Sequence, residues 1–199
     1  MTTIYLMRHS ETFKPYNINN TDNLQIQNEK WTLSKEGEKL AQEKSELEEL
    51  KNFDIVVSSN YVRALGTAKY FTSNTVIIDE AFNERKFGVN DWNELPSNFE
   101  ELQLKDFNYK IGNGESLNEV LNRTSQALSI VLSHHKGQKI LIVGHATAFT
   151  TLLSNWCKIN YNGPYTFNDQ IFFDGIWNHC QTFKLNFDDN NNLINIKTI

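Results

Sequence analysis

Short apolar runs alternate with longer segments of helical periodicity along this chain. Residues 3–7, 54–57, 75–78 and 139–143 read as strands covered on both faces, since such a strand has no need to alternate polar and apolar positions. Residues 34–51 predict a helix capped by Ser34, with Leu40, Leu47 and Leu50 on its apolar positions. Residues 61–71 and 146–156 predict two more helices. The clearest amphipathic pattern runs over 116–135 and is stopped by Gly137. Residues 171–177 and 182–187 read as strands, and 188–192 as a turn before a last alternating segment, 193–199. The polar, Asn-rich stretch 13–30 reads as an inserted loop. The irregular stretch 81–114, with Trp92, Pro96, Gly112 and Gly114, reads as a lid or insert centred on 86–114. No repeat of fixed period is present. The alternation of strand and helix predicts an α/β fold: one domain over 1–199, a three-layer sandwich with a mainly parallel central sheet and an irregular lid.

Composition narrows the partners. A formal net charge of −5 favours neither nucleic acid nor an anionic membrane, so an anionic ligand would need a local positive pocket. The first residues carry no cationic segment, and the apolar run 4–7 is too short for a signal peptide or a membrane span. Cys157 and Cys180 stand in neither a C-x-x-C nor a zinc spacing and read as small buried hydrophobes. A cytoplasmic protein is the simplest expectation, with its oligomeric state open.

Two of those strands deliver a histidine to their carboxyl ends: His9 after residues 3–7, and His145 after 139–143. Ligands of open α/β sheets bind beyond that edge, so the two histidines suggest one site. Arg8 beside His9 suits that site to a phosphate. Phosphoryl transfer to a side chain needs a nucleophile, cations or backbone donors for the equatorial oxygens, and an acid for the leaving alkoxide. His9 is the candidate nucleophile, and Arg8 and Arg63 can fork onto phosphate oxygens. Their charges would also keep His9 neutral. The amides of Ala146 and Thr147, opening a helix, can point at an anion, and Glu84 can serve as the acid.

Five stretches then carry a family resemblance. They are Arg8-His9-Ser10-Glu11-Thr12; Leu33-Ser34 with Gly37 and Ala41; Ser58-Ser59 with Arg63-Ala64 and Thr67-Ala68; Asn83-Glu84-Arg85 with Phe87-Gly88; and Gly112-Asn113-Gly114-Glu115-Ser116 followed by Val143-Gly144-His145. In this order they resemble the signatures of the histidine phosphatase superfamily, also called phosphoglycerate mutase-like. The resemblance implies attack by His9 on phosphorus while Glu84 protonates the departing oxygen, then hydrolysis of the phosphohistidine with Glu84 as base. It implies that Arg8, Arg63 and His145 line the phosphate pocket, with Ser10, Ala146 and Asn17 as further substrate contacts. It implies no metal or organic cofactor, and a small phosphorylated metabolite as substrate. The chain departs from the pattern at three places. Ser10 and Ala146 stand where glycine is usual, and Pro15 stands where an asparagine often contacts phosphate, leaving Asn17 as its substitute. Serine at position 10 is costly if the backbone needs positive φ, and otherwise its hydroxyl adds a donor.

Competing readings attach to several residues. Glu84 can simply pair with Arg85 or Arg63, with Asp91 and Glu115 as reserve acids. Glu11 reads as orienting local backbone, His134 and His135 as solvated at a helix end, and His179 as a strand-end residue without a role. Phe172, Phe173, Trp177, Phe183 and Phe187 read as core, and 43–49 as a solvated acidic face. Asn90, Trp92, Asn93 and Tyr109 are candidate walls for a sugar phosphate or phospho-acid. A metal-independent phosphomonoesterase is the preferred function. A bisphosphoglycerate-dependent mutase and a non-catalytic phospho-ligand binder are the alternatives.

Overall fold

A computed structural model describes residues 1–13, 22–160 and 163–199. In chain order its first half holds β1 (Thr2–Arg8), α1 (Leu24–Lys30), α2 (Lys35–Ser45), β2 (Ile55–Ser58), α3 (Val62–Ala68) and β3 (Ile77–Ile78). The second half holds α4 (Phe99–Lys105), α5 (Leu117–His134), β4 (Lys139–Gly144), α6 (Ala146–Leu153), β5 (Lys158–Ile159), β6 (Tyr165–Phe167), β7 (Gln170–Phe173), β8 (Thr182–Phe187) and β9 (Leu193–Thr198). The central sheet has the order β3-β2-β4-β1-β8-β9. β3, β2, β4 and β1 pair in parallel, and β8 and β9 close one edge as antiparallel neighbours.

The strand residues alternate between two covered faces, which is why their runs read as continuously apolar. Ile4, Leu6, Ile140 and Ile142 pack with Leu128 and Val131 of α5 and with Phe149 and Leu152 of α6. Tyr5, Met7, Leu141 and Val143 pack on the opposite face with Ala64 and Ala68 of α3 and with Phe53 and Phe71. Each fully buried aliphatic side chain contributes about 1.5–3 kcal/mol relative to exposure. The result is the expected α/β sandwich of helix, sheet and helix. Phe173, Phe183 and Phe187 are buried in the first of these cores, and Phe172 and Trp177 pack against it. Both cysteines are free and buried. Among the described residues no helix is long and apolar enough to cross a membrane.

Four segments differ from the sequence reading. Within the supposed loop 13–30, Asn23 caps α1 by accepting from the Ile26 amide at 3.0 Å. The helix expected over 34–51 stops at Ser45, and Leu50 is buried from a separate 3-10 turn at 48–50. The strand expected over 171–177 ends at Phe173, and as β7 it pairs with β6 in a separate antiparallel sheet that also holds β5. The stretch 86–114 contains α4 and a small core of its own, in which Leu24 of α1 meets Phe87 and Phe99. Its two ends are drawn together where the Glu115 amide donates to the Lys86 carbonyl at 2.9 Å.

Gly88 makes that closure possible. Its φ is +78°, and a Cβ there would overlap the Ile111 carbonyl and the Gly114 backbone. Gly88→Ala is therefore expected to destabilise the protein by about 2 kcal/mol or more, from backbone strain together with overlap. The urea midpoint reports it, and a midpoint within error of wild type would remove this constraint.

Candidate active site

Parallel register brings the two histidines together. Arg8 faces Gly144 in the last pair of β1 and β4, so the residues that follow leave the sheet side by side. The rings of His9 and His145 lie 5.2 Å apart between centroids, and the His9 amide donates to the Gly144 carbonyl at 2.9 Å. His9 Nδ1 lies 2.7 Å from the carbonyl oxygen of Ser10. A carbonyl only accepts, so Nδ1 carries the proton and Nε2 keeps the lone pair. Burial first, then the Arg63 guanidinium, hold His9 well below the usual imidazole range. The ring is thus neutral, and its nucleophilic nitrogen is Nε2.

His145 is fully buried, with both nitrogens engaged. Arg63 Nη2 lies 3.2 Å from its Nδ1 and Ser59 Oγ lies 2.9 Å from its Nε2. A guanidinium only donates, so Nδ1 accepts and Nε2–H donates to Ser59. The Ser59 hydroxyl in turn donates to Asn83 Oδ1 at 2.8 Å. In this arrangement His145 fixes the position of Arg63. Burial, then Arg63 and His9, push its pKa well down.

Both depressed imidazoles carry a stability consequence. The unfolded chain titrates them near 6.5 and the folded chain well below it. Between those values the unfolded state binds more protons, so stability is complete above about pH 6.5 and declines as pH falls below it. Denaturation midpoints are expected to drop between pH 7 and pH 5, with a shallower slope in His145→Asn. A flat profile in the wild type would refute the burial argument.

Arg63 donates to the Asn28 carbonyl of α1 and stacks its guanidinium over Tyr61 at 4.8 Å. Burial lowers its pKa to about 10, so it remains a cation at neutral pH. Arg8 donates to the Trp177 carbonyl. Together with His9, Trp31 and His179, the two arginines line a cavity of about 280 Å³. Arg63→Ala is expected to weaken inhibition by inorganic phosphate about tenfold to a hundredfold, as for loss of a charged hydrogen bond. Loss of a neighbouring cation also raises the His9 pKa, so the acid limb of kcat/KM should move to higher pH. Unchanged phosphate inhibition would take Arg63 out of the site.

Glu84 sits at the N-terminus of α6. Its carboxylate accepts from the amides of Thr147 at 3.3 Å, Ala148 at 3.1 Å and Arg85 at 3.0 Å. It therefore occupies helix-terminal donors, one of which (Thr147) was expected to meet an anion directly. Glu84 is the carboxylate that most favours the charged forms of both Arg8 and Arg63, which places it within electrostatic reach of the pair. Neither arginine is its ion-pair partner among the described residues, and Arg85 pairs with Glu100 instead.

The other candidates are distributed as follows. Ser10 is fully buried, with no positive φ, and its hydroxyl donates to the Gly37 carbonyl at 2.7 Å, away from the cavity. Ala146 lines a second cavity that also includes Arg8. Asn17 and Pro15 lie outside the described residues. Asp91 caps the 3-10 turn at 92–94, and Glu115 pairs with Arg123 at 2.8 Å. Glu11 lines the His9 cavity and accepts from Ser34 Oγ at 3.1 Å. Sequence reasoning missed His179, whose ring lies 6.4 Å from that of His9, as well as Trp31, Asn28 and Arg85. Only Arg85, next to Glu84, offered a signal in the sequence. Among the described residues no group of three or more His, Cys, Asp or Glu is placed to hold a metal ion.

The model of the histidine phosphatase superfamily (branch 1) matches residues 4–172. An uncharacterized phosphatase of Bacillus subtilis is 32% identical over 161 residues, covering 77% of this chain and 77% of its own. A probable phosphoglycerate mutase of Erwinia tasmaniensis is 29% identical over 164 residues, covering 77% of this chain and 74% of its own. A mutant phosphoserine phosphatase of Entamoeba histolytica, crystallised with phosphoserine, superposes with a TM-score of 0.68 at 19% identity over 99% of this chain and 97% of its own.

Proposed function

This chain belongs to the histidine phosphatase superfamily, and we propose that within it the protein is a metal-independent phosphatase that hydrolyses a small phosphomonoester through a phosphohistidine on His9. The observation that carries this reading is the lone pair left on His9 Nε2, in a neutral ring beside two arginines. Nε2 attacks phosphorus while the bond to the ester oxygen breaks, and that oxygen leaves with the electron pair and takes a proton from the Glu84 carboxyl group. Water then loses a proton to the Glu84 carboxylate and attacks phosphorus. The N–P bond breaks, its electrons return to Nε2, and inorganic phosphate departs. Arg8 and Arg63 hold the equatorial oxygens in both steps, and His145 keeps Arg63 in place. The chain's own cations supply the charge stabilisation that the scheme needs.

Brief mixing with substrate, alkaline quenching and peptide mass spectrometry tests the intermediate. A phosphoryl group is expected on the peptide containing His9, and phosphorylation elsewhere or nowhere would overturn the scheme. The likeness to a probable mutase favours a second reading, transfer between positions of one substrate. Phosphoglycerate isomerisation stimulated by 2,3-bisphosphoglycerate, without release of phosphate, would replace the hydrolase with that mutase.

A further inference from the structure

The stretch 174–181 runs between β7 and β8 and lies beyond residues 4–172, the part of the chain that matches the superfamily model. It is nevertheless built into the site. The Trp177 carbonyl accepts from the Arg8 guanidinium, and the Gln181 carbonyl accepts from the Arg8 amide at 2.9 Å. The Cys180 amide donates to the His9 carbonyl at 3.4 Å. The Trp177 indole donates to Thr150 Oγ1 of α6 at 3.0 Å, which anchors the stretch a second time. His179 stands between these ties. It is half-buried and lines the His9 cavity together with Arg8, Glu11 and Arg63.

The spacing of the two rings suits a ligand held between them. The centroids of His9 and His179 are 6.4 Å apart. That is too far for a direct hydrogen bond, whose heavy atoms sit about 3 Å apart, and it leaves space for part of a ligand. A neutral imidazole can give a phosphoryl oxygen one ordinary hydrogen bond. A protonated one gives a charge-assisted bond, roughly twice as strong. The charged groups that face His179 across the cavity set the balance between the two forms. Arg8 of β1 and Arg63 of α3 oppose its protonation, Glu11 favours it, and His9, held neutral, adds no charge. A doubly negative phosphoryl group placed among them tips the balance towards imidazolium.

We infer that His179 is a further substrate-binding residue, whose imidazolium joins Arg8 and Arg63 in holding the phosphoryl oxygens, so that affinity for the phosphate group rises as the pH falls. The inference rests on the phosphatase reading above for the ligand of the His9 cavity. It replaces the sequence expectation of a strand-end residue without a role. The two arginines stay charged at neutral pH and His9 stays neutral, so His179 supplies the part of phosphate binding that changes with pH.

Sulfate is the probe, because it stays doubly negative across the range in which imidazole titrates, roughly pH 5 to 8. Its competitive inhibition of p-nitrophenyl phosphate hydrolysis is measured with the full-length protein at about pH 8 and at about pH 6. The wild-type inhibition constant is expected to fall about tenfold between them, as for one charge-assisted hydrogen bond. His179→Gln should flatten that dependence and bind sulfate as weakly at the lower pH as the wild type does at the higher. His179→Arg carries a permanent cation and should also be flat, but at the tighter value. Loss of a positive neighbour makes His9 more basic, so an indirect effect through His9 would strengthen anion binding, the opposite sign. Weakening of equal size at both pH values in His179→Gln would mark a merely structural role and overturn the inference. Inhibition constants equal to those of the wild type at both would overturn it too. A wild-type constant independent of pH would overturn it without any variant, even where neither substitution folds. Failure of the wild type to hydrolyse p-nitrophenyl phosphate at either pH would overturn the phosphatase reading itself.

Discussion

His9→Ala is expected to lower p-nitrophenyl phosphate hydrolysis by about 10⁴-fold or more, while excess EDTA leaves the wild-type rate unchanged. The two halves of the experiment address different claims. The substitution removes the atom that forms the bond to phosphorus, and no neighbour can replace it. His145 has both nitrogens committed to Arg63 and Ser59, so it cannot take over as nucleophile without releasing the arginine. The alanine leaves the Ser10 carbonyl without its imidazole donor, yet the helices and sheet around it are otherwise unaltered. Preserved inhibition by inorganic phosphate in the variant would show that the pocket survives. Loss of activity in EDTA would contradict metal independence, and His9→Ala activity near that of wild type would leave only a phospho-ligand binder.

The second large effect concerns Glu84. Glu84→Gln should slow alkyl phosphates by about 10²–10⁴-fold, the range for loss of a general acid. The glutamine keeps one oxygen, which can accept from the amides of Ala148 and Arg85 as Glu84 Oε1 does, and only the Thr147 amide loses its acceptor, so the fold around α6 should hold. An aryl phosphate such as p-nitrophenyl phosphate should suffer less, because its leaving group is stable as an anion and needs no proton. Equal losses on the two substrate types would show that Glu84 positions the site and does not donate. The substitution also removes a negative charge that favours both arginine cations, so part of any common loss would be electrostatic.

The sheet was legible because its strands are buried on both faces and so appear as unbroken apolar runs. The proximity of His9 and His145 was legible too, since both directly follow such strands and parallel pairing aligns their ends. Residues delivered by irregular backbone were not. Asn28 and Trp31 reach Arg63 from α1, a one-to-two-turn helix with too few apolar positions to announce itself, whose Leu24 is buried only through docking on Phe87 and Phe99. His179 comes from the stretch between β7 and β8, where no periodicity marks which side chains turn inward. The direction of the Ser10 hydroxyl depends on where α2 lies, since the Gly37 carbonyl belongs to its first turn. Local pattern thus reported what the sheet imposes, and tertiary docking decided the rest.

The strand order has a kinetic consequence. β1 is made first, but its two neighbours in the sheet are β4, beginning at Lys139, and β8, beginning at Thr182. During synthesis the strand that carries Arg8 and leads into His9 therefore finds its first neighbour only after Lys139–Gly144 has emerged, and its second only after Thr182–Phe187. Contacts of such long sequence separation slow folding, because the intervening loop must close before any pairing rewards it. Recovery of activity after dilution from denaturant should accordingly lag behind the recovery of helical signal, and the appearance of turnover marks the moment when the first strand finds its place.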